Sequence, residues 1–283
     1  YPIFGIALLI MAAGIAGAMI WKGSTGEMAM VELSAGNLKN WHHTPSQNIM
    51  VPMMFIVISC GAISGFHSTQ SPMMARCLKN EKQGRQVFYG AMIAEGIVAI
   101  IWATAAMNYF GGVEALNNKM VEINQQPAVV VDIISRSWLG KTGAIFAILG
   151  VIALPISTGD TAFRSARLTV ADVFRFSQSK IVNRLIVSIP LFITGFVLTQ
   201  LKFSTIWKYL GLSNQVLARV VLWMTARYLL LKGKTHWLLT IPACFMTFVV
   251  ISYLLCAPYK NGGLALSPET GYIAGAGATL GAA

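Results

Sequence analysis

The chain has 283 residues, of which 55% are apolar and 11% carry a formal charge, and its formal net charge is +11. The charged fraction is less than half the roughly 25% typical of soluble domains, which excludes a water-soluble fold and makes a bilayer the expected solvent. The cations cluster in alternate loops, so the positive charge implies no nucleic-acid partner. The composition predicts an all-α, polytopic transmembrane helical bundle.

Membrane spans are predicted wherever about 20 mostly apolar residues follow one another, because that length of helix crosses the hydrocarbon core. About seven spans are predicted, and the second and fourth are expected to be discontinuous helices. In chain order the spans cover residues 3–21, 49–66, 87–110, 144–159, 185–201, 205–226 and 237–256. The bundle is thus expected to occupy residues 1–256, followed by an extracytoplasmic Gly/Ala-rich tail over residues 257–283.

The orientation of the bundle is predicted from the loops. Three loops, at residues 76–86, 164–184 and 227–236, carry nearly all of the net positive charge, whereas the loops between them are balanced. Positively charged loops stay in the cytoplasm, so these three are placed there.

The end of the second span is the first candidate site, since Gly and Pro bracket a dense run of polar side chains. A broken helix at membrane depth is tolerated only where it is buried or lines a cavity, and such breaks indicate the binding sites of transporters. An ordinary helix end at the cytoplasmic interface is the alternative. The candidate binding residues of this segment are Gly61, Ser64, Gly65, His67, Ser68, Gln70 and Ser71.

The fourth span is expected to break near Pro155 and Gly159, beside polar groups that make a second candidate site. Its candidate binding residues are Ser157, Thr158 and Asp160. The alternative for Asp160 is an N-cap of a helix that begins at Thr161.

Ionisable side chains deep in the apolar segments form the third set of candidates. Glu95 lies eight residues into the third span, where a charge costs about 2.5 to 3.5 kcal/mol and usually serves a function. It could carry a proton, coordinate sodium or form a structural pair with Arg219 of the sixth span. His67 could join a proton relay, since imidazole changes charge near neutral pH, or simply pack in the bundle.

The sixth span adds two amide side chains, Asn214 and Gln215, next to Arg219. The amides could bind substrate or hold helices together, as polar groups often do in membranes. Cysteine and histidine spacings suggest no metal site, and nothing indicates a catalytic constellation or a cofactor.

Four sequence blocks resemble the carbon starvation protein A family in the same order. They are CGAISGFHSTQSPMMARC, FYGAMIAEGIVAIIWA, PISTGDTAFRSARLTVAD and the NQ of LGLSNQVLA, which together cover most of residues 49–218. The resemblance implies an ion-driven inner-membrane carrier for peptides or pyruvate. It also implies an inverted-repeat fold and further spans before residue 1, so that this chain is the carboxy-terminal part of a longer protein.

The expected function is therefore secondary active import of small carboxylates or short peptides, with a proton favoured over sodium as the coupling ion. The competing hypothesis is a membrane sensor or interaction subunit, in which the polar breaks only pack against a partner. Membrane lipid is an expected partner in both cases.

Overall fold

The computed structural model describes residues 2–28, 30, 39–42, 44–45, 48–58, 63–124, 126–150, 154–201 and 203–282. Within these residues the regular structure is entirely helical. The α-helices are α1 (Pro2–Ser24), α2 (Met50–Val57), α3 (Gly65–Cys77), α4 (Ala91–Tyr109), α5 (Val113–Glu122), α6 (Pro127–Ile148), α7 (Leu154–Val173), α8 (Ile181–Thr199), α9 (Phe203–Leu231), α10 (Trp237–Cys256) and α11 (Pro268–Ala282).

Four helical segments of the described chain are long and apolar enough to cross a membrane. They are Gly5–Ser24, Glu81–Tyr109, Ile181–Thr199 and Trp237–Cys256, which correspond to the first, third, fifth and seventh predicted spans. The prediction of an all-helical chain is confirmed for the described residues, and several of the helices are long and apolar enough to span a membrane. The total of about seven spans and the inverted repeat stay predictions.

One compact unit comprises Tyr1–His43 and Arg85–Phe196, and its core forms where α1 packs against α4 and α6. Met11 and Ile15 of α1 are buried together with Ala105 of α4 and Ile134 of α6. These residues present an apolar stripe on each helix, and burying it stabilises the packing through close contact. The unit carries Glu95 and Asp160.

The other compact unit comprises Thr44–Gly84 and Val197–Ala283. Helix α10 lies at its centre and contacts α2, α9 and α11. Its core contains Met246, Val249, Val250 and Tyr253 of α10, all almost fully buried, with Ile56 of α2 packed against them. The unit carries the broken second span and the amides of the sixth.

The fourth predicted span, residues 144–159, is wrong in its boundaries. Helix α6 already begins at Pro127, changes direction at Gly140, where φ is +61°, and ends at Ile148. Pro155 lies in the first turn of α7, where a missing N–H costs nothing, and Gly159 lies inside the continuous helix. Pro155 and Gly159 therefore do not break α7, and the change from α6 to α7 falls before Leu154, where residues 151–153 lie outside the described residues.

Helices α5 and α6 occupy a segment whose charges had suggested an outer loop. Arg136 and Asp132 pair along α6 at 2.7 Å, four residues apart, so these charges lie on one exposed helix face. The tail after residue 256 also contains a helix, α11, which packs along α10.

Candidate functional site

The second predicted span is divided between two helices, α2 and α3, and Ser64 before α3 is not helical. Helix α2 ends at Val57, and the N–H of the following Ile58 donates to the Met54 carbonyl. Ser64, directly before α3, is extended with φ −107° and ψ 120°, so the helix cannot run through this position. The predicted interruption near Gly65 is thus present, and α3 begins at Gly65 itself. The candidate Gly61 is outside the described residues.

Asn214 of α9 caps the first turn of α3. Its side-chain Oδ1 accepts the backbone N–H of Phe66 at 2.6 Å, and its Nδ2 lies 3.4 Å from the Ser64 Oγ. The first N–H groups of a helix have no partner within the helix, so an amide from another helix satisfies one of them here. Asn214 is itself buried, which makes this bond hard to replace by water.

Gln215, the next residue of α9, serves the other helix end. Its Nε2 donates to the Phe55 carbonyl in the last turn of α2, at 3.1 Å. The Gln215 side chain is 1% exposed, and its Oε1 makes no hydrogen bond to any residue that the structure describes. The two consecutive amides of α9 therefore bond to the end of α2 and to the start of α3. The Gln215 Oε1 can still accept a hydrogen bond at this position.

Gly65 allows α3 to lie directly on the backbone of α9. A Cβ at this position would overlap the Asn214 carbonyl oxygen, and it would lie 2.7 Å from the Ala218 nitrogen and 2.8 Å from the Leu217 Cβ. Gly211 permits a similar approach of α9 to α2, since an added Cβ would lie 3.2 Å from the Ile56 carbonyl oxygen. Glycine at both positions brings the ends of α2 and α3 within reach of the amides.

The hydroxyl groups of α3 bond to their own helix. Ser68 Oγ donates to the Gly65 carbonyl and Thr69 Oγ1 donates to the Phe66 carbonyl, at 2.8 Å for the latter. Ser68 keeps its acceptor lone pairs, so it can still receive a donor from a ligand. The first turn of α3 is thereby stiffened rather than left with free hydroxyl donors.

Three further predicted residues of α3, His67, Gln70 and Ser71, are half-buried. The Gln70 Nε2 is buried without a hydrogen bond to the described residues, so this amide holds donor capacity within the protein. Arg219 is half-buried on α9, four residues after Gln215 and hence on the same helix face. His67, Gln70 and Ser71 thus belong to α3 and Arg219 belongs to α9, the two helices that the Asn214 bond joins.

The candidates of the other unit occupy a different setting. Glu95 is half-buried within α4 and Ser157 is half-buried within α7, where the Ser157 carbonyl accepts from Thr161 Oγ1 at 3.0 Å. Thr158 is exposed. Glu95 and Arg219 belong to different units, so their pairing stays a prediction.

Asp160 is not the N-cap of a helix, because α7 begins six residues earlier and runs through it. Its Oδ2 pairs instead with the Arg164 Nη2 at 2.9 Å, one turn further along an exposed face. This alternative for Asp160 is therefore wrong, and its proposed binding role remains untested.

The chain is similar to a known family of membrane proteins. A family model described as "Carbon starvation protein CstA" matches residues 4–142 and 127–253. No solved structure matches the chain significantly.

Three curated relatives illustrate the similarity. An uncharacterized protein of Haemophilus influenzae is 45% identical over 126 residues, which are 44% of this chain and 90% of the relative. The peptide transporter CstA of Campylobacter jejuni is 25% identical over 277 residues, 75% of this chain and 39% of the relative. The pyruvate/proton symporter BtsT of Escherichia coli is 45% identical over 58 residues, 20% of this chain and 8% of the relative. The chain thus matches well under half the length of either named transporter.

Proposed function

The chain belongs to the carbon starvation protein CstA family, and we propose that it forms part of a secondary active transporter in the bacterial inner membrane. The imported nutrients are short peptides or pyruvate-like carboxylates. The names of the Campylobacter and Escherichia relatives support this class of function. The apolar helices of the chain support a multi-pass location in a membrane.

The observation that carries the proposal is the interruption between α2 and α3, which is held by Asn214 and Gln215. Interrupted helices in transporters place a partly positive helix N-terminus and partly negative carbonyls at membrane depth, and those ends receive substrate and coupling ions. Both proposed substrate classes carry a carboxylate. We place that carboxylate near the first turn of α3, within reach of Ser64 and of Arg219.

The opposite end of the interruption suits a donor or a cation. The carbonyl end of α2 and the Oε1 of Gln215 are acceptors, and the latter is buried without a hydrogen bond to the described residues. Such an acceptor carries a desolvation cost of about 1 to 3 kcal/mol unless a ligand bonds to it. A substrate amine or amide N–H would relieve that cost, which is the chemistry a peptide offers.

Ion coupling is assigned to the proton, with Glu95 as its carrier and His67 as a relay candidate. His67 and the other α3 positions, Ser68, Gln70 and Ser71, complete the polar surroundings of the substrate in this proposal. Ser157, Thr158 and Asp160 of α7 are retained as predicted binding positions of the other unit. Sodium coupling is the alternative that an imposed gradient distinguishes.

The experiment is uptake by proteoliposomes that contain the full-length protein. Labelled pyruvate and a labelled dipeptide are compared under an imposed proton gradient and under an imposed sodium gradient. Accumulation of either substrate on the proton gradient supports the proposal. A correctly folded protein that transports neither substrate under either gradient contradicts it and favours the sensor or interaction subunit.

A matched pair of variants links that activity to the interruption. Gln215→Leu removes the bond to the Phe55 carbonyl and the buried acceptor, so uptake should fall by about 10-fold or more, since a buried hydrogen-bonding group contributes about 1 to 3 kcal/mol. Gln200→Leu changes an exposed glutamine just after α8 and should leave uptake unchanged. Equal uptake by the two variants would show that Gln215 only packs the helices.

A further inference from the structure

A cleft of about 390 Å³ lies between α7 and α8, in the unit that does not contain the interruption. Three arginines line it, Arg164 and Arg167 from α7 and Arg184 from α8, together with Ser188. Phe163 and Phe192 form an apolar part of the wall, with their ring centroids 4.6 Å apart. The cleft thus joins a strongly cationic part to an apolar part.

The three arginines differ in how they are held. Arg164 pairs with Asp160, the one carboxylate in the described lining of the cleft. The Nε of Arg184 donates to the Gln178 carbonyl at 2.7 Å, which fixes its guanidinium beside the connection between the helices. The Nε of Arg167 is buried and makes no hydrogen bond to any described residue. Among the described residues, Arg167 and Arg184 form no ion pair with a carboxylate, and Arg167 also retains a buried donor.

Such an arrangement suits an anion with several oxygen atoms. Guanidinium groups bind phosphate and carboxylate through paired N–H donors, and a phosphate could satisfy Arg167 and Arg184 together. Ser188 adds a hydroxyl next to them. The bond to Arg167 would also remove the cost of leaving its Nε buried without an acceptor.

The surroundings of the cleft distinguish a lipid from a free anion. Helix α8 is one of the membrane-spanning candidates, and it leaves a continuous series of large apolar side chains exposed beyond Arg184. Leu185, Ile189, Phe192 and Phe196 are each at least half exposed. Acyl chains would cover this face while the headgroup remained at the arginines. Basic pockets between membrane helices recognise anionic headgroups in this way.

We propose that the cleft between α7 and α8 binds the phosphate headgroup of an anionic phospholipid, whose acyl chains lie along the exposed apolar face of α8. The site requires no part of the interruption between α2 and α3. Its occupancy can therefore be measured without a transport assay.

The test uses the full-length protein, purified in detergent and depleted of lipid. Native mass spectrometry is used to measure the apparent Kd for phosphatidylglycerol, and phosphatidylcholine serves as the zwitterionic comparison. The wild-type protein should bind phosphatidylglycerol more tightly than phosphatidylcholine. Inorganic phosphate in excess should not displace the lipid, because it lacks the acyl chains.

Arg167→Gln should weaken phosphatidylglycerol binding by about 10-fold or more, since a charge-assisted hydrogen bond is lost. Lys180→Gln removes one positive charge from the same connection without lining the cleft, and it should change binding by less than about 2-fold, as expected for an exposed charge. Ser188→Leu fills the cleft at constant charge and should also displace the lipid. Thermal midpoints of all variants establish that they are folded.

Three results would overturn the proposal. Equal weakening by Arg167→Gln and Lys180→Gln would indicate attraction by overall charge alone. Displacement of the lipid by inorganic phosphate would assign the cleft to a soluble anion instead. Unchanged binding in folded Ser188→Leu would locate the lipid elsewhere, and that variant decides the question even if Arg167→Gln does not fold.

Discussion

Asn214 and Gln215 show how two neighbouring residues can stabilise a helix interruption. Adjacent positions on a helix point in directions about 100° apart, so each amide reaches a different target. Asn214 bonds to the start of α3 and Gln215 bonds to the end of α2. One backbone group on each side of the interruption is therefore satisfied by a side chain, as backbone groups at membrane depth require.

Gly65 is predicted to be indispensable for this contact. In Gly65→Ala, the added methyl group would overlap the Asn214 carbonyl and force α3 away from α9. Overpacking of this kind costs about 1 to 3 kcal/mol, so the thermal midpoint of the purified protein should fall. Gly96→Ala is the matched control, because its added Cβ meets no atom within 4 Å. Equal midpoints for the two variants would contradict the close contact.

Glu95 is predicted to carry the coupled proton. Gln at this position resembles the protonated acid but cannot release its proton. Glu95→Gln should lose accumulation driven by a proton gradient while it still exchanges labelled for unlabelled substrate across proteoliposomes. If the residue formed a structural pair with a buried cation, Gln would instead leave that charge uncompensated, and the variant would fold poorly. A folded variant that still accumulates substrate shows that Glu95 is not the carrier.

Several residues that meet at the interruption could be selected from the sequence, but their contacts could not. Amides and glycines are conspicuous in apolar spans, and that signal selected Gly65, Asn214 and Gln215. The Asn214 bond joins residues 148 positions apart, and the acceptor of Gln215 is a backbone carbonyl, which every residue possesses. The sequence uses the arginines of the α7–α8 cleft only to predict the membrane orientation of their loop. A count of charges does not reveal which cations of a loop line the same cleft.

At the scale of elements, length and apolar composition were sufficient for the regular spans. Helix α10 covers the predicted residues 237–256, because no charged residue interrupts that apolar segment. The error over residues 144–159 arose because a proline can either break a helix or begin one. Pro155 begins one, whereas Gly140 supplies the bend with a positive φ that other residues rarely adopt.

Helix α11 is predicted to be held on α10 by its small residues. A Cβ at Gly275 would overlap the Ser252 hydroxyl and lie 3.1 Å from the Phe248 carbonyl oxygen, and one at Gly271 would overlap the Cys256 sulfur. Gly275→Leu should therefore displace α11 and expose Cys256, which is 6% exposed. The variant is made in a protein without Cys60, Cys77 and Cys244, so that maleimide reports on Cys256. Labelling of Cys256 should be about 10-fold faster than in the same protein with Gly275, because overpacking costs about 1 to 3 kcal/mol and favours local opening of α11.

Gly277→Leu is the control for this change, since an added Cβ at Gly277 meets no atom within 4 Å. Its labelling rate should match that of the unmodified background. Equal acceleration by both variants would indicate that bulk in α11, rather than the contact at Gly275, governs the exposure of Cys256.

At the scale of the whole molecule, two loops that face the same side of a membrane must be separated by an even number of crossings. If residues 76–86 and 164–184 both face the cytoplasm, the chain must cross outward and return between Arg85 and Arg164. In that topology α4 would be the outward crossing, and the return would fall to α6 and the start of α7. Helices α8 and α9 would then be the pair of crossings before Arg227. Helix α9 has 29 residues and is about 44 Å long, which is sufficient for one crossing.

This orientation predicts which surface positions an impermeant reagent can reach. A single cysteine is introduced at Lys82, Asn118 or Lys180 of a cysteine-free full-length protein. All three residues are exposed. In intact cells, an impermeant maleimide should label only the Asn118 position, which belongs to a balanced loop placed outside. Opening the inner membrane should make the other two positions reactive. Labelling of the Lys82 or Lys180 position in intact cells would contradict this orientation, because it would place a strongly basic loop outside the cytoplasm.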